Sequence, residues 1–191
     1  FVSLGAERII LSSDLFVDEI AELIEQYPNI EFDLINIQSY AEIEDCIRRG
    51  KVDCGFVSLP TSSDLQTHFL MRDELVAVLP PDHPLAAAPV FPVRQLENAL
   101  FIKLHETADF EVTHFLDRTS YKPTMRYEVS SDHTLLSMVE CGLGIGITHS
   151  LIADNPRYNV VCKRFDEGQH RDIAIATAKN VRIASATKLF I

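Results

Sequence analysis

The feature that most constrains this chain is an alternation of short apolar runs with amphipathic stretches, and the alternation occurs twice. In the first half, residues 7–12 read as a short buried strand. Phe16, Ile20, Leu23, Ile24 and Tyr27 then recur at helical spacing until Pro28 stops the helix. Ile30, Phe32 and Leu34 alternate as a strand should, and Tyr40, Ile43 and Ile47 mark a second helix with Gly50 placed as its left-handed cap. Residues 53–58 form a third strand that ends at Pro60. The second half repeats the order. Residues 100–104 read as a strand, with Phe110, Phe115 and Leu116 on the helix after it. Residues 125–129 are the next strand; Leu135, Leu136, Met138 and Val139 lie on a helix closed by Gly142, and 145–148 is the fifth element. Ser39 and Gly50 stand the same distance ahead of Ser131 and Gly142. A β-α-β-α-β order is the grammar of a parallel sheet covered by helices, so the chain is read as α/β with two similar lobes.

Two connecting segments join these halves. Residues 74–79 lead into the turn-rich Pro80, Pro81, Asp82, His83 and Pro84, and residues 158–162 are expected to carry the chain back. Residues 172–177 offer another strand, and 183–191 start a last helix. The division expected from this is residues 1–78 with 163–191 as lobe I and 79–162 as lobe II. Two connections permit lobes that open and close as a hinge.

Composition narrows the function. With 17 basic and 28 acidic side chains the formal charge is −11, which repels phosphate backbones and excludes DNA or RNA binding by this chain alone. The basic group Arg48, Arg49 and Lys51 reads as a helix end, where cations complement the macrodipole. The longest apolar run, residues 75–79, is far short of the ~20 residues that a membrane-spanning helix requires. Cys46, Cys54, Cys141 and Cys162 form no CxxC pair and sit in apolar patterns, which reads as buried free thiols in a reducing cytoplasm. Because the sequence starts at Phe1 rather than Met, a fragment or processed product is expected.

Nothing in the sequence demands catalysis. The glycines of CGLGIG at 141–146 close a helix and open a strand, the reverse of a dinucleotide loop, so no cofactor is expected. The seven histidines show no metal-ligand spacing, and no serine nucleophile elbow appears. Cys141 and His133 on one helix resemble a nucleophile and base only superficially, since the C-terminal end of a helix raises a thiol's pKa. Hydroxyls at the strand-to-helix junctions are more informative: Ser12 and Ser13, Ser39, Thr107, and Ser130 and Ser131. Ser39 with Glu42 has the form of a capping box, while Ser13, Thr107 and Ser131 lack that partner and are read either as caps or as ligand contacts. In open α/β sheets, ligands bind beyond the carboxyl ends of strands. Ser58 and Thr148 occupy such ends, and Asp14, Glu106, Asp132, His105 and His133 lie on the same rims. A rim of this mixture suits a small polar ligand, with helix N-terminal amides available to it.

Four segments carry a family resemblance: LIEQYPNIEFDL at 23–34, IRRGKVDCGF at 47–56, ELVAVLPPDHPL at 74–85 and VECGLGIG at 139–146. In this order and spacing the chain resembles the effector-binding, or regulatory, domain of LysR-type transcriptional regulators over nearly its whole length. The resemblance implies a type 2 periplasmic-binding-protein fold, with two Rossmann-like lobes and a hinged effector cleft. It implies a winged helix-turn-helix domain N-terminal to this chain as the only DNA contact, a homodimer or homotetramer in the bacterial cytoplasm, and no membrane association. Family effector contacts map to Ser12, Ser13, Asp14, Ser58, His105, Ser131, His133 and Thr148; Ser39, Glu106 and Thr107 complete the candidate effector set. Where family pockets often present Thr, this chain presents Ser, Asp and His, so no relative's ligand transfers. The alternative is a solute-binding protein of a transport system on the same fold. An enzyme such as a prephenate dehydratase is a third class, but its Thr-Arg-Phe signature is missing.

Overall fold

The computed structural model describes residues 7–10, 21–22, 25–28, 32–35, 37, 39–106, 110–179 and 187–188. The chain divides into two compact units, residues 1–72 with 172–191 and residues 73–171. In the first unit, β1 (Glu7–Ile10) pairs in parallel with β2 (Phe32–Ile35) and with β3 (Cys54–Leu59). Strand β3 then pairs antiparallel with β9 (His170–Ala178), Cys54 opposite Thr177 and Leu59 opposite Asp172. The strand order is β2-β1-β3-β9, so the sheet is mixed rather than wholly parallel. Residues 21–22 and 25–26 are helical and the chain turns at Pro28; the rest of the first expected helix lies outside the described residues, as does the last one apart from 187–188.

Helix α1 (Tyr40–Arg48) buries Ile43, Cys46 and Ile47 against Val57, Ala174 and Ala176 of the sheet. It ends as Gly50 foreshadows. Gly50 takes φ +65, its N–H donates to Ile47 O, and the Lys51 N–H donates to Cys46 O. Those two bonds close the helix as a Schellman motif, which requires the left-handed conformation glycine adopts without a Cβ penalty.

The second unit contains β5 (Leu100–Leu104), α2 (Glu111–Arg118), β6 (Thr124–Val129), α3 (Asp132–Glu140), β7 (Gly146–His149), α4 (Ser150–Ala153) and β8 (Val161–Arg164). Strands β5 and β6 pair in parallel, and Phe101 bridges in parallel to Ile145 just ahead of β7. Strand β4 (Leu65–Leu79) carries the chain into this unit and pairs antiparallel with both β7 and β8. The unbroken apolar run at 75–79 is explained by burial on both faces, where no polar alternation is needed. Leu75, Ala77 and Leu79 pack with Phe101, Ile147, Phe115 and Leu116 on one side. Val76 and Val78 pack with Ile102, Leu135, Leu136 and Val139 on the other. Phe110 does not join this core: it precedes α2 with φ +44 and is 45% exposed, and Val112 takes the inward position instead.

The second glycine cap repeats the first. Gly142 has φ +69, with its N–H donating to Val139 O and the Leu143 N–H donating to Met138 O. Gly144 and Gly146 serve packing: a Cβ on Gly144 would lie 2.7 Å from Leu100 O, and one on Gly146 would lie 2.7 Å from Leu135 Cδ2. The unit boundaries fall between Arg72 and Asp73 in β4 and between Arg171 and Asp172 in β9, against the 78 and 162 expected from the sequence. Residues 158–162 do not return the chain to the first unit, because β8 stays paired with β4, Val78 opposite Cys162. The return strand is β9.

Candidate functional site

The best-described rim is in the second unit, where β5, β6 and β7 end and α2 and α3 begin. Glu106, one of the rim residues, caps the start of α2. Its carboxylate accepts the Val112 N–H at 2.8 Å, the Thr113 N–H at 3.0 Å and the Thr113 hydroxyl at 2.6 Å. The first turn of α2 therefore already holds an anion, the arrangement its dipole and free N–H groups favour. Thr107 lies outside the described residues. His105 is exposed, with Nδ1 3.2 Å from Glu128 Oε1.

The start of α3 differs. Ser131 occupies the N-cap position with extended backbone, yet its hydroxyl makes no capping bond. Asp132 in the first turn accepts a 2.9 Å bond from the hydroxyl of Thr148, which is buried at the end of β7. One residue on, His133 Nδ1 lies 3.0 Å from the Tyr158 hydroxyl. The structure thus brings Ser131, Asp132, His133 and Thr148 to one end of the second unit. Each β-to-α junction presents a different chemistry: one filled by an internal carboxylate, one with hydroxyls and backbone amides.

In the first unit Ser39 is the N-cap residue of α1, but no side-chain bond forms there, so the expected capping box is absent. Ser58 lies half-buried in β3 opposite Ile173. Ser12, Ser13 and Asp14 lie outside the described residues.

Sequence reasoning missed the most buried charged cluster among the described residues. Asp73 is fully buried on β4 and accepts from Arg171 Nε and Nη2 at 3.0 and 2.7 Å, from the Ser150 hydroxyl at 2.9 Å and from the Leu151 N–H at 3.1 Å. Arg171 Nη1 donates to Glu111 Oε2 at 3.2 Å, and His149 Nε2 stands 3.2 Å from the same oxygen. Burial, reinforced by the Arg171 guanidinium and partly offset by Asp73, pushes the His149 pKa down to about 3. At neutral pH the ring is uncharged, with Nε2 facing the Glu111 carboxylate. The available sequence signal was the Arg-Asp dipeptide, present at 72–73 and again at 171–172.

The thiols split by environment. Cys46 and Cys54 are buried as expected, but Cys141 is exposed, because it caps the end of α3 beyond the helix's packed face. Burial and the neighbouring Asp154 push the Cys162 thiol up to about 11, so it stays protonated. A shallow depression of about 310 Å³ lies along the outer side of α3, lined by His133, Thr134, Ser137, Met138, Cys141 and Leu143. Among the described residues no helix is long and apolar enough to cross a membrane.

Comparison with known proteins fits this architecture. The family model described as the LysR substrate binding domain matches residues 2–191. The uncharacterized HTH-type transcriptional regulator YwbI of Bacillus subtilis is 28% identical over 142 residues, covering 72% of this chain and 46% of the relative. The chain spans about half the length of the curated relatives it matches, 52% for the Bacillus subtilis regulator YybE. Among solved structures, the CcmR regulatory domain of Synechocystis PCC6803 in complex with 2-PG is 22% identical, with a TM-score of 0.79 over 97% of this chain and 92% of that one. The BenM effector binding domain with its effector benzoate is 19% identical, with a TM-score of 0.76 over 95% and 86%. Such likenesses show the fold, a type 2 periplasmic-binding-protein α/β architecture. With the family model covering nearly every residue, the chain belongs to the LysR substrate-binding domain family.

Proposed function

We propose that this chain is the effector-sensing domain of a cytoplasmic LysR-type transcriptional regulator, with no enzymatic activity of its own. A small polar metabolite binds at the strand-end rims, and DNA is held by a separate winged helix-turn-helix domain, in a homodimer or homotetramer. The family match carries this reading. The formal charge of −11 supports the division of labour, since an acidic sensor cannot itself grip a phosphate backbone. The relatives are transcriptional regulators, which disfavours the transport alternative.

Within the second unit, Ser131 is the residue best placed to meet a ligand, because its hydroxyl is not spent on capping α3. The other candidates are His105, Thr107, His133 and Thr148 in the second unit and, considered separately, Ser12, Ser13, Asp14, Ser39 and Ser58 in the first; Glu106 is engaged in capping α2. Ligand control needs a difference in affinity between two states of the domain, typically about 1–3 kcal/mol of coupling. The test begins with native mass spectrometry of the purified chain to identify a co-purifying metabolite, followed by titration calorimetry with the wild type and Ser131→Ala. The expected result is at least a severalfold weaker affinity in the variant with an unchanged melting temperature. Equal affinity with lowered melting would return Ser131 to a structural role.

A further inference from the structure

Strands β4 and β9, which carry the chain between the two units, hold reciprocal ion pairs. Within the first unit, Arg72 Nε on β4 donates to Asp172 Oδ1 on β9 at 2.9 Å. Within the second unit the roles reverse, and Arg171 on β9 donates through Nε and Nη2 to Asp73 on β4. The Leu75 N–H donates to Gln169 O at 2.9 Å, continuing the same antiparallel register. Adjacent residues of a strand point to opposite faces, so Arg72 and Asp73 leave β4 in opposite directions. One pair is solvent-facing, with Arg72 56% exposed, while Asp73 in the other is fully buried.

The buried pair does more than join two strands. Asp73 also holds the first residues of α4 through Ser150 and Leu151. Arg171 reaches the first residue of α2 through Glu111, whose Oε2 also faces His149 at the end of β7. One guanidinium therefore links the crossover to the same strand-end rim that carries Glu106, Asp132 and Thr148. A buried ion pair is weak grounds for stability as such, and its best-attested use is to fix one arrangement among alternatives.

We propose that Arg171 is a positioning residue, and that the Asp73–Arg171–Glu111 network sets the crossover strands according to the position of the α2 and β7 rim. A displacement at Glu111 or His149 is read as a change in the β4–β9 ribbon. The relay does not depend on what the rim binds; its use as a control device rests on the effector-domain reading.

Hydrogen exchange followed by mass spectrometry on the full chain, without ligand, tests the relay separately from that reading. Glu111→Gln keeps shape and removes charge on a partly exposed side chain, and Arg171→Lys keeps charge and removes the forked geometry. Both are expected to speed exchange at least severalfold in peptides spanning Leu75, Leu151 and the start of β9, while peptides from the Leu135–Val139 core keep wild-type rates. The double variant should add little to either single one, because both act on one network. Three results would overturn the proposal: faster exchange confined to α2 and β7, a uniform rise through the whole second unit, or full additivity of the two changes.

Discussion

Because His149 stays neutral when folded, its burial should make the chain lose stability on mild acidification. The unfolded imidazole takes a proton near its ordinary pKa of 6.5, whereas the folded one resists protonation down to about 3. Between those values the unfolded state binds more protons, so stability falls as pH falls; above about 6.5 the contribution is fully present. At about pH 5 the unfolded ring lies ~1.5 units below its pKa, and at 1.36 kcal/mol per unit this costs about 2 kcal/mol. The assay is urea unfolding by far-ultraviolet circular dichroism at about pH 7 and about pH 5, for the wild type and His149→Gln. Comparing the two proteins isolates the contribution of the imidazole. The wild type should lose about 2 kcal/mol more than the variant over this interval. Equal losses would refute the reasoning, because they would mean that the folded His149 accepts its proton at an ordinary pH despite its burial and the Arg171 guanidinium beside it.

Two further substitutions test the local architecture. Gly144→Ala would place a Cβ 2.7 Å from the Leu100 carbonyl oxygen and 3.3 Å from Ile102 Cγ1. The oxygen also accepts the Ile145 N–H at 2.9 Å, so relief must disturb that bond. A loss of about 1–3 kcal/mol by denaturant unfolding is expected, and wild-type stability would contradict it. Glu106→Ala removes the acceptors for Val112 and Thr113, which should cost about 0.5–2 kcal/mol, as other lost caps do. It should also speed amide exchange at those two residues first, and unchanged protection there would assign the helix start to other groups.

Much of the fold was legible because periodicity and punctuation agreed. Ile43 and Ile47 announced the buried face of α1, and Gly50 and Gly142 announced left-handed caps whose paired bonds match in both units. Pairing partners were not legible. An apolar run such as 75–79 declares burial on both faces but not which strands flank it, so the antiparallel partners β7 and β8 could not be read from it. For the same reason residues 158–162 passed for a return strand, although they lead into β8 of the same unit.

The site divides along a similar line. Hydroxyls at strand-to-helix junctions are visible because their position relative to local elements gives them meaning, and Ser131 and Thr148 do lie at one end of the second unit. A residue whose role depends on a partner far along the chain carries no local mark. Asp73 follows Arg72 as any exposed charged pair might, and only the fold shows that it is fully buried with Arg171 beside it. Glu106 shows the opposite failure. Its place on the rim was plain, but the choice between ligand contact and capping turned on whether Thr113, seven residues on, would present its amide and hydroxyl. The mirrored dipeptides Arg72-Asp73 and Arg171-Asp172 are therefore the kind of signal a single sequence can offer for a distant pairing: reciprocal charges on two strands, which an antiparallel register alone can satisfy at both ends.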